Sequence, residues 1–487
     1  MSSTSPSATP GSRRWLALGL IAAAQFMVIM DTSIIGVALP EIQHDLGFSA
    51  QGLSWVFNAY VVAFGGLLLL GGRLSDLLGA RRVFIAGWGV LAAGSLVAAV
   101  AGSPAVELVG RAVQGAGSAL IAPAALTLLF TIFGGTPKEL TKALAVYGAA
   151  APAGGTAGVF LGGVLTQFAS WPWVFLINLP LAAAVLALAP SVMPAGAAHR
   201  GSVDAAGATM VTLGLGSIVF AVVRAPQAGW VSPSTVVAGL FGLVLVGLFL
   251  LRQAKARQPL VRLGIFKAPN LAAANAAQFL LGAAWIPMFF FVNLYLQQLL
   301  GLGAFASGAA LLPLTVPIMV GMVAVAPRLI ARFGPKAVTV AGLGTLAAGL
   351  AWLSFLRADG SFWFDVLPAS LVTAAGMAMA FIPSLGLALS SAAPQEAGLA
   401  AGLVNTNYQI GSALGLAAMT AVAAAFGADG SSTGTSTDLV GLTDGYSAAL
   451  IGAAAIAAVG ALVAASWLRT SATQTPAAAV SEEHAAA

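Results

Sequence analysis

The chain has 487 residues, of which 59% are hydrophobic and only 7% charged. A soluble domain carries about 25% charge, so this composition excludes one and points to an all-α, polytopic membrane protein. Cysteine is absent, which rules out a disulfide framework, a thiolate metal site and a cysteine nucleophile.

Residues 1–14 and 469–487 are polar and of low complexity, and both are expected to be disordered cytoplasmic ends. Between them hydropathy predicts fourteen transmembrane spans, numbered 1 to 14 in chain order. They lie near 15–39, 51–72, 83–102, 105–131, 143–169, 171–192, 205–223, 232–251, 269–297, 304–327, 337–356, 362–391, 398–426 and 446–468. With both termini in the cytoplasm, every Lys and Arg except Arg111, Arg224 and Arg357 falls on the cytoplasmic side. That is the bias membrane insertion imposes. The net charge of +5 therefore reports orientation in lipid and not a nucleic-acid surface.

Span 1, within Trp15–Pro40, is apolar except for a few residues, and one of these is Asp31. A carboxylate at membrane depth is expensive unless it is protonated, paired or facing water, so it marks a functional site by default. Taking the span to end just before Pro40, Asp31 lies roughly 12 Å from the external end at about 1.5 Å per residue. Arg111 in span 4 lies roughly 9 Å from its own external end by the same measure. Each can relieve the other's burial. Gln114 follows Arg111 on the same helix face. Asn58 and Tyr60 in span 2 reach a similar depth, and Gln25 lies deeper, so these four are candidate substrate-binding residues beside the charge pair. Asp31 is also the one carboxylate expected well inside the membrane, with Glu107 and Asp365 at external helix ends. One such charge suits neutral or singly charged lipophilic ligands.

The sequence repeats at an offset of 253–255 residues. Ala23-Ala24-Gln25-Phe26-Met27 matches Ala276-Ala277-Gln278-Phe279-Leu280, and Gly87, Gly89 and Gly94 match Gly342, Gly344 and Gly349. The chain thus divides into an N-terminal six-helix half at 15–192 and a C-terminal six-helix half at 269–468. Residues 193–268 carry the two inserted helices and central loops. Two parallel halves around a midplane cavity is a secondary-transporter plan. The halves differ chemically: Asp31 corresponds to Ala284 and Asp76 to Ala331, and Arg111 has no basic counterpart in span 12. The N-terminal half is expected to couple to an ion. The C-terminal half is expected to shape the substrate wall, with Gln278, Trp285, Phe289, Asn405 and Gln409, and also Asn275 and Tyr408, as lining candidates.

Two further motifs suggest a conformational gate. Between spans 2 and 3 runs Gly72-Arg73-Leu74-Ser75-Asp76-Leu77-Leu78-Gly79-Ala80-Arg81-Arg82. Gly72 and Gly79 permit tight turns, and Asp76 and Arg81 offer a charge cluster able to latch the halves. In span 5, Gly154, Gly158 and Gly162 recur every four residues and form one stripe. A helix of the other half is expected to approach along it.

These motifs, with Met30-Asp31-Thr32 in span 1, Arg111-x-x-Gln114-Gly115-x-Gly117 in span 4 and Trp171-Pro172-Trp173 through Pro180, resemble the major facilitator superfamily. Within it they are similar to the fourteen-span drug:proton antiporters. The sequence departs from the family pattern at Leu77 and Ala80, where Arg is usual, and at Val159, where Pro is usual. The resemblance implies a major facilitator fold of two six-helix halves plus two inserted helices. It implies efflux of lipophilic drugs or antibiotics from a bacterial inner membrane, Asp31 and Arg111 coupling protons, and no cofactor beyond the proton gradient. Its implied partners are the substrate, protons and membrane lipids, with no nucleic acid, and its implied state is a monomer.

Other classes are poorly supplied. No Lys sits in a phosphate-binding Gly-x-x-x-x-Gly-Lys loop. His44, His199 and His484 are scattered without metal-ligand spacing, and no convergent catalytic set argues for an enzyme. An importer or a lipid or metabolite flippase on the same scaffold, or a channel or sensor without active transport, remains as the alternative.

Overall fold

The computed structural model describes residues 11–134, 137–195, 204–256, 259–261, 263–391, 397–427 and 436–469. Among them fourteen helical segments are long and apolar enough to cross a membrane. They are Arg13–Leu46, Gly52–Ser75, Ala80–Ala99, Pro104–Phe133, Val146–Phe168, Trp173–Val192, Ala206–Ala225, Pro233–Lys255, Leu271–Leu299, Ala304–Phe333, Pro335–Leu353, Phe362–Ser391, Gly402–Ala425 and Leu439–Trp467. No strand occurs among the described residues.

Two boundaries move. The first helix continues through Pro40 to Leu46, because a proline inside a membrane helix is tolerated when neighbouring helices re-satisfy the backbone. It also starts at Gly11, so residues 11–14 are helical where disorder was expected. Arg14 explains why: its guanidinium donates to the Ile132 carbonyl at 2.8 Å and to Glu139 at 2.9 Å. At the other end Arg469 is also held, its N–H donating to Asn270. Residues 1–10 and 470–487 lie outside the described residues.

Glycine sets which helices touch. A Cβ on Gly154 would stand 2.3 Å from the Phe26 carbonyl oxygen, and one on Gly158 2.8 Å from that of Met30, so spans 1 and 5 meet backbone to backbone. The same contact recurs in the second half. A Cβ on Gly411 would stand 2.0 Å from the Phe279 oxygen and one on Gly415 2.2 Å from the Ala283 oxygen, joining spans 9 and 13. Gly87 and Gly94 press span 3 onto span 4 as Gly342 and Gly349 press span 11 onto span 12. Gly79 at φ +88° and Gly334 at φ +80° occupy equivalent places, each reversing the chain in one residue between helices. A side chain strains that backbone.

The inserted spans 7 and 8 lie to one side. Span 7 rests on span 2, where Thr212 packs against Gly66. Span 8 shows Val237, Leu240, Phe241, Leu243 and Val244 outward, a surface suited to lipid tails. Asp204 closes this unit from the loop. It caps the span 7 helix through Gly207 N–H at 2.9 Å and binds Arg252 of span 8 at 2.5 Å.

Candidate functional site

Span 1 delivers Asp31 near the middle of its helix, not in its last turns as the shorter span implied. Leu46 lies about 22 Å further on at ~1.5 Å per residue, so the end of span 1 projects past the start of span 4. Span 4 opens on Ser103 and Pro104, a proline in the first turn where its missing N–H is not needed. Two turns later it presents Arg111. Span 6 is interrupted. A single turn at Trp173–Leu176 gives way to a new helix beginning at Asn178, which brings an amide side chain to the same point.

The side chains converge on one carboxylate. Arg111 Nη1 donates to Asp31 Oδ2 at 2.8 Å, while Gln114 Nε2 and Asn178 Nδ2 donate to Oδ1 at 3.1 and 2.8 Å. Ser95 of span 3 sits beneath, accepting from Gln114 at 2.8 Å and Asn178 at 3.0 Å. Arg111 also donates through Nε to the Val56 carbonyl of span 2 at 2.9 Å and through Nη1 to Gln114 Oε1 at 2.8 Å. Its guanidinium lies 4.6 Å from the Tyr60 ring centroid and 5.9 Å from that of Phe175. Asp31 is 1% exposed and Arg111 0%. A buried pair of this kind is stable only when its remaining donors and acceptors are met. Five spans cooperate to meet almost all of them, and Arg111 Nη2 alone of the guanidinium nitrogens has no partner.

Asn178 and Ser95 were not singled out from the sequence. Asn178 stands in the Trp171–Pro180 motif, and that motif was the available signal. Glu107 was placed at an external helix end. It is in the first turn of span 4, but it is completely buried and neither carboxyl oxygen has a partner. Asp31 is therefore not the sole carboxyl group taken out of water. The available signal was spacing, since Glu107 stands one turn before Arg111 on the same helix face.

The family profile described as Major Facilitator Superfamily matches residues 21–416. The chain belongs to the major facilitator superfamily. The cephamycin export protein CmcT of Amycolatopsis lactamdurans is 36% identical over 443 residues, covering 90% of this chain and 89% of that one. The puromycin resistance protein pur8 of Streptomyces alboniger is 35% identical over 451 residues, covering 91% and 88%. Among solved structures, the nucleoside transporter NupG superposes with a TM-score of 0.64 at 15% identity, over 94% of this chain and all of the other. That likeness is one of fold. The protein is a multi-pass membrane transporter.

The remaining candidates of this major facilitator protein separate by surroundings. Gln114 and Tyr60 are fully buried. Gln114 holds Asp31, and the Tyr60 hydroxyl donates to Ser118 at 2.8 Å. Asn58 is buried with its amide unpartnered. Gln25 is half-buried and accepts from Tyr147 of span 5 at 2.7 Å. Its repeat equivalent Gln278 is buried and donates to Ser384 at 3.0 Å and to the Phe381 carbonyl at 3.1 Å, tying span 9 to span 12. Trp285 and Gln409 are buried, Gln409 against Gly65, and Asn275 is bonded to Asn407 at 2.7 Å. Phe289 is half-buried and packs on Gly36 across the two halves. Tyr408 is half-buried with its ring 5.6 Å from Phe381, and Asn405 is exposed.

The gate motifs resolve differently from expectation. Gly154, Gly158 and Gly162 do form a stripe, but its partner is span 1 of the same half, at Phe26, Met30 and Ile34. The face turned to the other half is the adjacent one. There Gly163 meets Ala304 and Phe305, and Val159 meets Gly308. Consecutive residues are rotated by about 100° on a helix, so Gly162 and Gly163 serve different neighbours. Arg81 donates to the Pro190 and Met193 carbonyls at 3.2 and 3.1 Å, which anchors span 3 to the end of span 6. Gly72 makes no turn: the span 2 helix runs on to Leu78, with Gly72 inside it against Pro123, and of the two only Gly79 reverses the chain. Asp76 belongs to the span 2 helix, and its side chain lies outside the described residues.

Proposed function

We propose that the protein exports neutral or singly charged lipophilic small molecules, antibiotics among them, in exchange for protons. The observation that carries this reading is the Asp31 carboxylate, buried at mid-helix in the N-terminal half and gripped by Arg111, Gln114 and Asn178. Protonating Asp31 removes the charge that holds Arg111. The guanidinium must then find another partner, and a bistable packing of two halves can convert that change into rocking. Relatives of similar length named for antibiotic export and resistance support the export direction. The Lys and Arg distribution supports a cytoplasmic placement of both termini, and the bacterial origin of the relatives supports a bacterial inner membrane.

Asp31→Asn keeps the size and one acceptor oxygen and removes the titrating group. Everted membrane vesicles carrying it should fail to accumulate a lipophilic antibiotic such as puromycin when respiration acidifies the lumen, with the protein present at wild-type level. Wild-type accumulation should collapse on adding an uncoupler. Uncoupler-sensitive accumulation at the wild-type rate by the Asn variant overturns the reading.

A further inference from the structure

We propose that Glu107 is a second proton-binding residue, and that Arg111 changes partner from Asp31 to Glu107 as a proton passes between the two carboxyl groups. The proposal rests on the reading of Asp31 as the coupling group and deepens it. Glu107 is 0% exposed, and both oxygens lack a hydrogen-bond partner. A bare carboxylate in such a place is far costlier than a neutral carboxyl, so in this state the group holds a proton. It stands one turn from Arg111 on the same face of span 4 and within the field of both Arg111 and Asp31. Arg111 in turn keeps one unpartnered nitrogen, Nη2, while Nε and Nη1 are fully engaged. An acid without a donor and a guanidinium with a spare donor on one helix face complement each other.

Span 1 carries further titratable groups beyond Asp31, namely Glu41, His44 and Asp45 near its C-terminal end, where Asp45 is held by His44 and Trp171. Span 2 brings Tyr60, whose ring covers the guanidinium. Span 3 brings Ser95 and nothing titratable at this level, and span 6 brings Asn178. The described charged residues of spans 2 and 3, namely Arg73, Arg81 and Arg82, lie at their opposite ends. The titratable side chain of span 5, Tyr147, is bonded to Gln25.

The step balances. The O–H bond at Glu107 breaks and an O–H bond at an Asp31 oxygen forms, so one carboxyl becomes a carboxylate as the other does the reverse. Arg111 leaves the neutral Asp31 and pairs through Nη2 with the new Glu107 carboxylate. The cluster of one guanidinium, one carboxylate and one carboxyl keeps zero net charge throughout, so no unpaired charge is left in the membrane. Glu107, nearer the start of span 4, then loads from and releases to the side facing that end, and Asp31 serves the deeper side.

Infrared difference spectroscopy of the purified full-length protein in lipid nanodiscs, titrated with pH, reads the carboxyl carbonyl band of a protonated acid directly. It requires no substrate. The wild type should show a buried carboxyl band at neutral pH. Glu107→Gln should lack it and Glu107→Asp, which keeps a carboxyl group, should retain it shifted. Asp31→Asn should also lose it, because the freed Arg111 then pairs with an ionised Glu107. A band that persists in Glu107→Gln, or one that survives unchanged at neutral pH in Asp31→Asn, overturns the proposal. These results are independent of transport, so they are distinguishable from a failure of Asp31→Asn to block export.

Discussion

Arg111 is where geometry, and not charge alone, is at stake. Its Nε holds span 2 through Val56 while its Nη1 holds span 1 through Asp31. A lysine ammonium is a single point and cannot reach both with the planar fork lost. Arg111→Lys should therefore abolish proton-driven export nearly as fully as Arg111→Ala, measured as uncoupler-sensitive efflux at matched membrane levels. Lysine restoring wild-type efflux would reduce Arg111 to a counter-charge. Removing the partner of a buried charge costs about 3–5 kcal/mol, so the alanine variant should also melt earlier in detergent. Asp31, Arg111 and Gln114 were legible in the sequence because charge inside an apolar run is rare and a helix converts residue number to depth. Asn178 and Ser95 were not, since small neutral polar residues occur in many spans and reveal no partner. The burial of Glu107 was missed for a different reason. Counting from a helix end gives height but not which face is covered.

At the scale of elements, glycine determines how close the charge cluster can be drawn together. Gly158 admits the Met30 carbonyl so closely that a methyl group would collide at 2.8 Å. Gly158→Val should push span 1 off span 5, displace Asp31 from Gln114 and Asn178, and lower both thermal stability and export. Overpacking of this sort typically costs about 1–3 kcal/mol. Equal melting and efflux in the valine variant would show that the contact is not limiting. The stripe itself was legible from its period of four, but its partner was not, because a sequence does not say which neighbour a small face serves. The inserted helix pair offers a pH test. Burial raises the Asp204 carboxyl, but hydrogen bonds from Arg252, Gly207 N–H and Gln253 outweigh it and hold the group below the usual Asp value. A depressed native value means stabilisation that is complete above the ordinary carboxylate value of about 4 and lost as pH falls through the native one. Asp204→Asn should thus melt earlier than wild type at pH 7, and the gap should narrow as pH falls below the ordinary carboxylate value of about 4. A gap unchanged by acid would mean that the contribution is packing and not charge.

The whole molecule is joined at one end by contacts that alternating access must break. Asn293 donates to the Gly36 carbonyl, and Gln297 donates to that of Val37 at 3.0 Å. Gln298 reaches Gln43 at 3.5 Å, and Gly163 lies against Ala304 and Phe305. All of these lie where spans 1, 5 and 9 end and span 10 begins, the end opposite most of the Lys and Arg. In the proposed orientation, with both termini in the cytoplasm, this is the outer seal, and the Asp31 cluster lies beneath it. Rigid-body rocking of one half against the other would have to part the seal to release substrate outward. Because the chain contains no cysteine, a pair introduced at Gln43→Cys and Gln298→Cys is the sole target for a short bis-maleimide. Cross-linking it should stop export almost completely, while either single variant treated with the same reagent should keep most of its rate. A cleavable linker of the same length should give the rate back on reduction. Export at the uncross-linked rate by a fully linked protein would mean that the halves move without opening this end, and the seal would then be static packing and not a gate.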